Sequence, residues 1–226
     1  MKIFLLILLI SINLVILKEK LIDVEYIDQT DDYPTGCESV TTIMCLHYFK
    51  FSITVDDFIK DYLDMGDMYY KGNKLFAPHP SDKFIGSPYD GHSYGCYEPV
   101  ITKALKKYID DNNLSEEYEI KNLTGVPMDT LIEEYIDKDI PVIFWATMDM
   151  RESISGNRWI IPETKEEFTW IGREHCLLLV GYNDEANEYI FNDPWHNNGV
   201  KGYVKDTVEQ RHKELLNMAC AIFKKN

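Results

Sequence analysis

The stretch QTDDYPTGCESVTTIMC, residues 29–45, places Pro-Thr-Gly directly before Cys37, and apolar side chains recur at helical spacing after it. This pattern predicts a helix over residues 37–50 that begins with the cysteine. Unpaired N–H groups and the positive end of a helix dipole favour a thiolate there, so we expect a lowered thiol pKa. Gly36 would leave room for the backbone of a substrate. Because the DDYPTG segment is polar and turn-like, a nucleophilic Cys37 is favoured over a buried, inert one.

Helical patterns dominate the rest of the first half of the chain. Thr54 is a good N-cap, and Pro99 suits the first turn of a helix. Further helices are predicted over residues 54–64, 99–112 and 128–139, with short strands over residues 21–28 and 117–124. Between them, residues 65–98 are rich in Gly, Pro and Tyr without a sustained period, which indicates a long irregular loop of a kind that is often functional.

The second half of the chain is predicted to be β-rich. Strands or hairpins are expected over residues 141–148, 158–172, 174–184, 188–195 and 219–225. Helices first and an antiparallel sheet afterwards predict the α+β class, with the helix of Cys37 packed on the C-terminal sheet.

Composition narrows the class of protein further. The chain has 226 residues, 45% of them hydrophobic, which suits one domain or at most two closely packed halves. Its formal net charge is -15, so it should repel nucleic-acid phosphates and anionic membrane surfaces. Nucleic-acid binding is therefore not expected.

The N-terminal segment differs from the rest of the chain. Lys2 precedes the apolar run IFLLILLISINLVIL, which ends at a second basic stretch beginning with Lys18. This pattern predicts that residues 1–20 are a secretory signal or an uncleaved membrane anchor, and that residues 21–226 form a domain outside the cytoplasm. Any membrane association is expected through this segment alone.

Three residues join Cys37 as candidates for a catalytic site. His175 opens the apolar strand EHCLLLVGY, and Asp193 ends the next predicted strand. If residues 184–187 form the turn, Asp193 lies within about two residues of the position opposite His175, where a carboxylate could orient the imidazole. The side-chain amide of Gln29, eight residues before Cys37, could join its backbone N–H in an oxyanion hole.

The other cysteines and histidines are predicted to be structural. The five cysteines show no C-x-x-C spacing, and their odd number leaves at least one thiol unpaired in an exported chain. We expect core positions or disulfide partners at Cys45, Cys176 and Cys220, and the sequence leaves the disulfide status of Cys96 open as well. Surface or hydrogen-bonded structural roles are expected for His47, His79, His92, His196 and His212.

These segments together resemble a known family. QTDDYPTGCESV, the downstream EHCLLLVGY and IFNDP, and the loop FIGSPYDGHSYGCYEP are similar to the C39-like cysteine peptidases, a branch of the papain-like superfamily. The resemblance covers about residues 24–222 and implies a papain-like cysteine peptidase fold. It implies Cys37 as nucleophile, His175 as general base and acid, Asp193 as the orienting residue and Gln29 in the oxyanion hole.

The implied reaction is hydrolysis of a peptide or related amide bond in a peptide or protein substrate through a thioester acyl-enzyme, with no metal or organic cofactor. The best-known relatives are domains of ABC exporters that cut leader peptides. This chain has no P-loop motif and no multi-span region, so no ABC transporter domain and no leader-peptide processing are expected. A surface binding module without turnover and an acyltransferase or transglutaminase-like enzyme remain alternatives, because the sequence cannot separate hydrolysis from acyl transfer.

Overall fold

A helix that begins at Cys37 packs on a large antiparallel sheet, as the α+β prediction requires. The computed structural model describes residues 18–225. The α-helices of this part of the chain are α1 Cys37–Tyr48, α2 Val55–Asp61, α3 Glu98–Asp111, α4 Met128–Glu134 and α5 Lys205–Glu214. Thr54 caps α2 by accepting a hydrogen bond from the Asp57 N–H, and Pro99 lies in the first turn of α3.

Most of the strands belong to two sheets. In chain order they are β1 Glu19–Leu21, β2 Met65–Gly66, β3 Tyr69–Lys71, β4 Lys74–Phe76, β5 Phe84–Ile85, β6 Tyr118–Asn122, β7 Val142–Thr147, β8 Ile154–Ile160, β9 Glu167–Gly172, β10 Glu174–Asn183, β11 Glu188–Asp193, β12 Gly199–Val204 and β13 Ala219–Lys224. The large antiparallel sheet has the order β12-β11-β10-β7-β13-β6, with β1 also on β10. The second sheet has the order β3-β4-β8-β9, and β2 and β5 form a separate parallel pair.

β10 is the central strand of the large sheet. Nine of its ten residues are buried, because α1 packs on the sheet here and β7 and β11 lie on either side. Its first part pairs with β7, and its last part pairs with β1. Gly181 allows this second pairing: a Cβ at that position would lie 2.1 Å from the Lys20 carbonyl oxygen. The close approach pairs residues 19–21 with β10, although β1 itself lies at the surface.

Several predicted boundaries were wrong. The strand predicted over residues 21–28 shares only Leu21 with β1. After Ile22 the chain leaves β10, and the Val24 carbonyl accepts a hydrogen bond from the Asn192 side-chain amide. Residues 65–98 contain the short strands β2 to β5. The helix predicted over residues 128–139 breaks at Tyr135 and continues as a 3₁₀ turn, Ile136–Lys138.

Two elements, β12 and α5, lie in a region for which the pattern predicted nothing. β12 carries two glycines and pairs with β11, which extends the sheet beyond the strand that ends at Asp193. The predicted signal or anchor falls almost wholly on residues 1–17, outside the described residues. Within residues 18–225, no helix combines the length and apolar character needed to cross a membrane.

Candidate active site

Cys37 is the first residue of α1, the position that the sequence predicts. Gly36 precedes it with φ −99°, outside the helical range, and the chain turns there into the helix. The sequence predicted that Gly36 leaves room for a substrate backbone, and this is wrong. Tyr33 and Pro88 occupy that space: a Cβ on Gly36 would lie 2.8 Å from the Tyr33 Cβ and 3.1 Å from the Pro88 Cβ. Cys37 itself is only 5% exposed.

The thiol environment differs from the one expected at a helix N-terminus. Burial raises the pKa of the Cys37 thiol well above its usual value, and the carboxyls of Glu38 and Glu174 raise it further. The Cys176 backbone N–H acts in the opposite direction but does not outweigh them. The expectation of a lowered pKa is therefore wrong for this arrangement, because burial and nearby carboxyls outweigh the helix dipole.

His175 and Asp193 form a buried hydrogen-bonded pair. The His175 Nε2 and Asp193 Oδ1 atoms are 2.8 Å apart, and the side chains are 1% and 0% exposed. The pair follows from the β10–β11 register: Leu178 pairs with Asn192, which puts Asp193 opposite Leu177, two residues from His175. His175 Nδ1 has no hydrogen-bond partner among the described residues. That nitrogen remains available to accept a proton.

Asp193 is held by more than the histidine. Its Oδ1 also accepts from the Trp195 N–H at 3.1 Å, and its Oδ2 accepts from the Asn198 amide at 3.0 Å and from the Tyr203 hydroxyl. Burial opposes ionisation, but His175 and these donors outweigh it and lower the pKa of Asp193 to about 2. Asp193 therefore carries a fixed negative charge at neutral pH, which suits a residue that orients an imidazole.

Gln29 lies close to the residues that lead into α1. Its Nε2 donates to the Tyr33 carbonyl at 3.2 Å, and the Gly36 N–H donates to the same carbonyl at 2.9 Å. Its own backbone N–H bonds the Pro194 carbonyl, directly after Asp193. The amide has a second N–H, so one donor remains for a substrate oxygen. Gln29 thus links the start of α1 to the end of β11.

Sequence reasoning missed two buried carboxyls, Glu38 and Glu174. Glu38 accepts a hydrogen bond from the Cys37 thiol at 3.4 Å and another from the Cys96 N–H. Burial raises the pKa of Glu38 to about 7, and burial together with Glu38 raises the pKa of Glu174 well above its usual value. The sequence signal that could have found them is their position: Glu38 directly follows Cys37, and Glu174 directly precedes His175.

The same cluster has the spacing of a set of metal ligands. Cys37, Glu38 and Glu174 each place one donor atom within 4.8 Å of the others. Both oxygens of Glu38 already accept hydrogen bonds, from the thiol and from a backbone N–H. We therefore assign the cluster to hydrogen bonding and to no metal ion.

The remaining predicted structural residues lie away from these groups or serve the core. All five cysteines are buried free thiols, so the disulfides left open by the sequence are not formed here. His47 Nε2 lies 2.8 Å from the Ile53 carbonyl, and His212 Nδ1 lies 2.7 Å from the Trp145 carbonyl. Both histidines have the structural contacts that the sequence led us to expect.

Comparison with known proteins places the chain in a family. The profile of the Peptidase_C39 like family matches residues 21–220, so the chain belongs to that family. The uncharacterized protein YvpB of Bacillus subtilis (strain 168) is 26% identical over 192 residues, which cover 84% of this chain and 69% of that protein. A crystal structure of a C39-like peptidase candidate from Bacillus anthracis matches with a TM-score of 0.77 and 19% identity, over 92% of this chain and 99% of that one. The mixed helix and antiparallel sheet architecture is thus shared with that structure.

Proposed function

We propose that this protein is a cysteine peptidase that hydrolyses a peptide or related amide bond. Cys37 Sγ would attack the carbonyl carbon as its proton passes to His175 Nδ1, and the resulting imidazolium would return that proton to the leaving amine. The thioester left on Cys37 would then be hydrolysed by water, for which His175 serves again as base. The papain-like arrangement of the fold is part of this proposal.

The observation that carries the proposal is the buried His175–Asp193 pair with its free Nδ1, one residue from the Cys176 N–H that interacts with the Cys37 thiol. His212 also has a ring nitrogen without a partner, but its other nitrogen contacts a backbone carbonyl, whereas His175 combines its free nitrogen with a carboxylate partner. Family membership agrees with a cysteine peptidase but does not define a substrate. Gln29 is proposed as the oxyanion donor because its amide adjoins the start of α1.

The proposal is tested by screening the purified full chain against a peptide library, with cleavage sites read by mass spectrometry. Cys37→Ala should abolish cleavage while the fold, monitored by circular dichroism, is retained. Cys45→Ala is the matched control, because Cys45 is also a buried free thiol of α1 but lies two turns further along. Cleavage that survives Cys37→Ala, or is lost only in Cys45→Ala, would refute the assignment of the nucleophile.

We also propose that the domain acts outside the cytoplasm, exported or anchored through residues 1–20. Residues 18–20 contact the domain: the Lys18 N–H donates to Asp184 at 3.0 Å, and Lys20 Nζ lies 2.6 Å from Asp139. Cleavage after residue 20 would remove most of β1, so we propose that any processing occurs before Lys18. Sequencing the N-terminus of the protein recovered from its native membrane or medium tests this, and a terminus beyond Lys18 would refute it.

A further inference from the structure

Two buried carboxyls and the proposed nucleophile meet in one cluster. Glu38 follows Cys37 on α1, and Glu174 lies at the start of β10, next to His175. Both carboxyls approach Gly95: a Cβ at that position would lie 2.5 Å from Glu38 Oε1 and 3.1 Å from Glu174 Oε2. The glycine, at φ +147°, leaves the space that the two carboxyls use.

No positive side chain neutralises this pair. Among residues 18–225 neither carboxyl forms a salt bridge with a lysine or arginine, and the group whose positive charge would favour ionisation of Glu38 is His175. Buried carboxylates this close together cannot both ionise, because each charge raises the pKa of the other group. The titratable groups that face the pair from α1, β10 and the segment before α3 are Cys37, His175, Cys176, Cys96 and Tyr97.

The hydrogen bonds identify which carboxyl carries the charge. Both oxygens of Glu38 accept, one from the Cys96 N–H and one from the Cys37 thiol, so Glu38 is the ionised member. Glu174 is 7% exposed, and its Oε1 has no partner among the described residues. Burial and the Glu38 charge disfavour the charged form of Glu174 more than the Trp145 side chain favours it, so Glu174 keeps the proton.

We propose that Glu38 and Glu174 hold one proton between them, carried by Glu174, and that Glu38 is a positioning residue that holds Cys37 away from His175 in the resting enzyme. The inference rests on the proposed function in so far as it treats Cys37 as the nucleophile. In this state the thiol donates to Glu38, while His175 Nδ1 has no partner. Attack on a substrate requires the thiol to leave Glu38 and give its proton to the imidazole.

The pair makes thiol reactivity depend on pH. Glu38 has a pKa raised to about 7 by burial, and the pKa of Glu174 is raised further above its usual value. Below about pH 7 both carboxyls are protonated and the cluster is neutral. Above it, the Glu38 carboxylate suppresses formation of the neighbouring thiolate.

The experiment measures the rate of Cys37 alkylation by iodoacetamide from pH 5 to 9 in the full chain, with the site read by mass spectrometry. Glu38→Gln removes the charge, so alkylation at pH 8 should be about tenfold faster than in the wild type, the effect of about one pKa unit. Glu174→Gln replaces a group that is already neutral in this pH range, so its alkylation profile should match that of the wild type.

Glu98→Gln is the matched control. Glu98 is also buried, with a pKa raised by burial to about 7, but it bonds Thr102 and Asn122 and does not contact Cys37. This variant should leave the alkylation profile unchanged. An unchanged rate at pH 8 in Glu38→Gln, or a shifted profile in Glu174→Gln, would overturn the assignment of the charge to Glu38 and of the proton to Glu174. If Glu38→Gln does not fold, a wild-type alkylation rate that rises with pH without a break near the Glu38 pKa of about 7 would overturn it alone.

Failure of this inference is distinguishable from failure of the proposed function. Alkylation needs no substrate, whereas the proposed function is judged by peptide cleavage and its loss in Cys37→Ala. Faster alkylation of Glu38→Gln at pH 8, with an unshifted Glu174→Gln profile and without any cleavage, would support the pair and reject the peptidase. Cleavage with unshifted profiles would support the peptidase and reject the pair.

Discussion

Replacing Asp193 by asparagine tests how far one buried carboxylate holds the site together. Asparagine keeps one acceptor oxygen where aspartate has two, yet four donors converge on the side chain: His175, Trp195, Asn198 and Tyr203. At least one of these donors must lose its acceptor or reorient. The residue is fully buried, so water cannot replace the lost bonds.

The magnitude follows from the pKa. Asp193 has an ordinary value of 3.8 and a value of about 2 in the folded protein, a difference of roughly 2 pKa units. Each unit corresponds to about 1.4 kcal/mol, so the ionised carboxylate contributes about 2 to 3 kcal/mol to the free energy of unfolding. Because the folded pKa is the lower one, this contribution is complete above about pH 4 and is lost as the pH falls towards 2.

The assay is urea unfolding of wild type and Asp193→Asn at pH 7 and in steps down to pH 3. The variant should be less stable by about 2 to 3 kcal/mol at pH 7, with a gap that narrows below pH 4. Tyr203→Phe is the matched control, because it removes a single donor to the same carboxylate and should be destabilised by about 1 kcal/mol. Equal stability of Asp193→Asn and wild type at pH 7, or a gap that does not change with pH, would refute the reasoning. In peptide cleavage, Asp193→Asn should lose less activity than His175→Ala, since it leaves the base in place.

Three further outcomes are expected. Burial lowers the pKa of His212 from 6.5 to about 4 in the folded protein. As the pH falls, His212 therefore binds a proton in the unfolded chain before it does so in the folded protein. The free energy of unfolding should decrease by about 3 kcal/mol between pH 6.5 and 4. In His212→Leu this part of the acid slope, followed by urea unfolding, should disappear, and an unchanged slope would assign it to other groups. Gly95→Ala would place an alanine at φ +147° with its Cβ 2.5 Å from Glu38 Oε1. Thermal unfolding should therefore show a free energy of unfolding lower by about 1–3 kcal/mol. A variant as stable as the wild type would contradict the close packing. Finally, cleavage products formed with and without an added primary amine should be the same if water resolves the thioester on Cys37, whereas an amide of the added amine would establish acyl transfer.

The local patterns that the sequence displays were enough to predict the helix at Cys37, the β10–β11 hairpin and hence the meeting of His175 with Asp193. Helix starts and hairpin registers depend on residues close in sequence, so periodicity and turn spacing report them. The same reasoning failed for a segment whose hydrogen-bond partner lies far away in the sequence. The segment after Ile22 alternates like a strand, but the Val24 carbonyl bonds the side chain of Asn192 and not the backbone of a neighbouring strand.

The chain by itself determined which residues could do the chemistry, and the tertiary structure alone decided their electrostatic state. A cysteine at a helix N-terminus suggests a low pKa, but the packing of α1 on β10 buries Cys37 beside Glu38 and Glu174 and reverses the direction of the shift. Glu38 and Glu174 are 136 positions apart, so no spacing rule brings them together. Burial and the distance between charges are properties of the packed molecule, and these two quantities set the ionisation of the site.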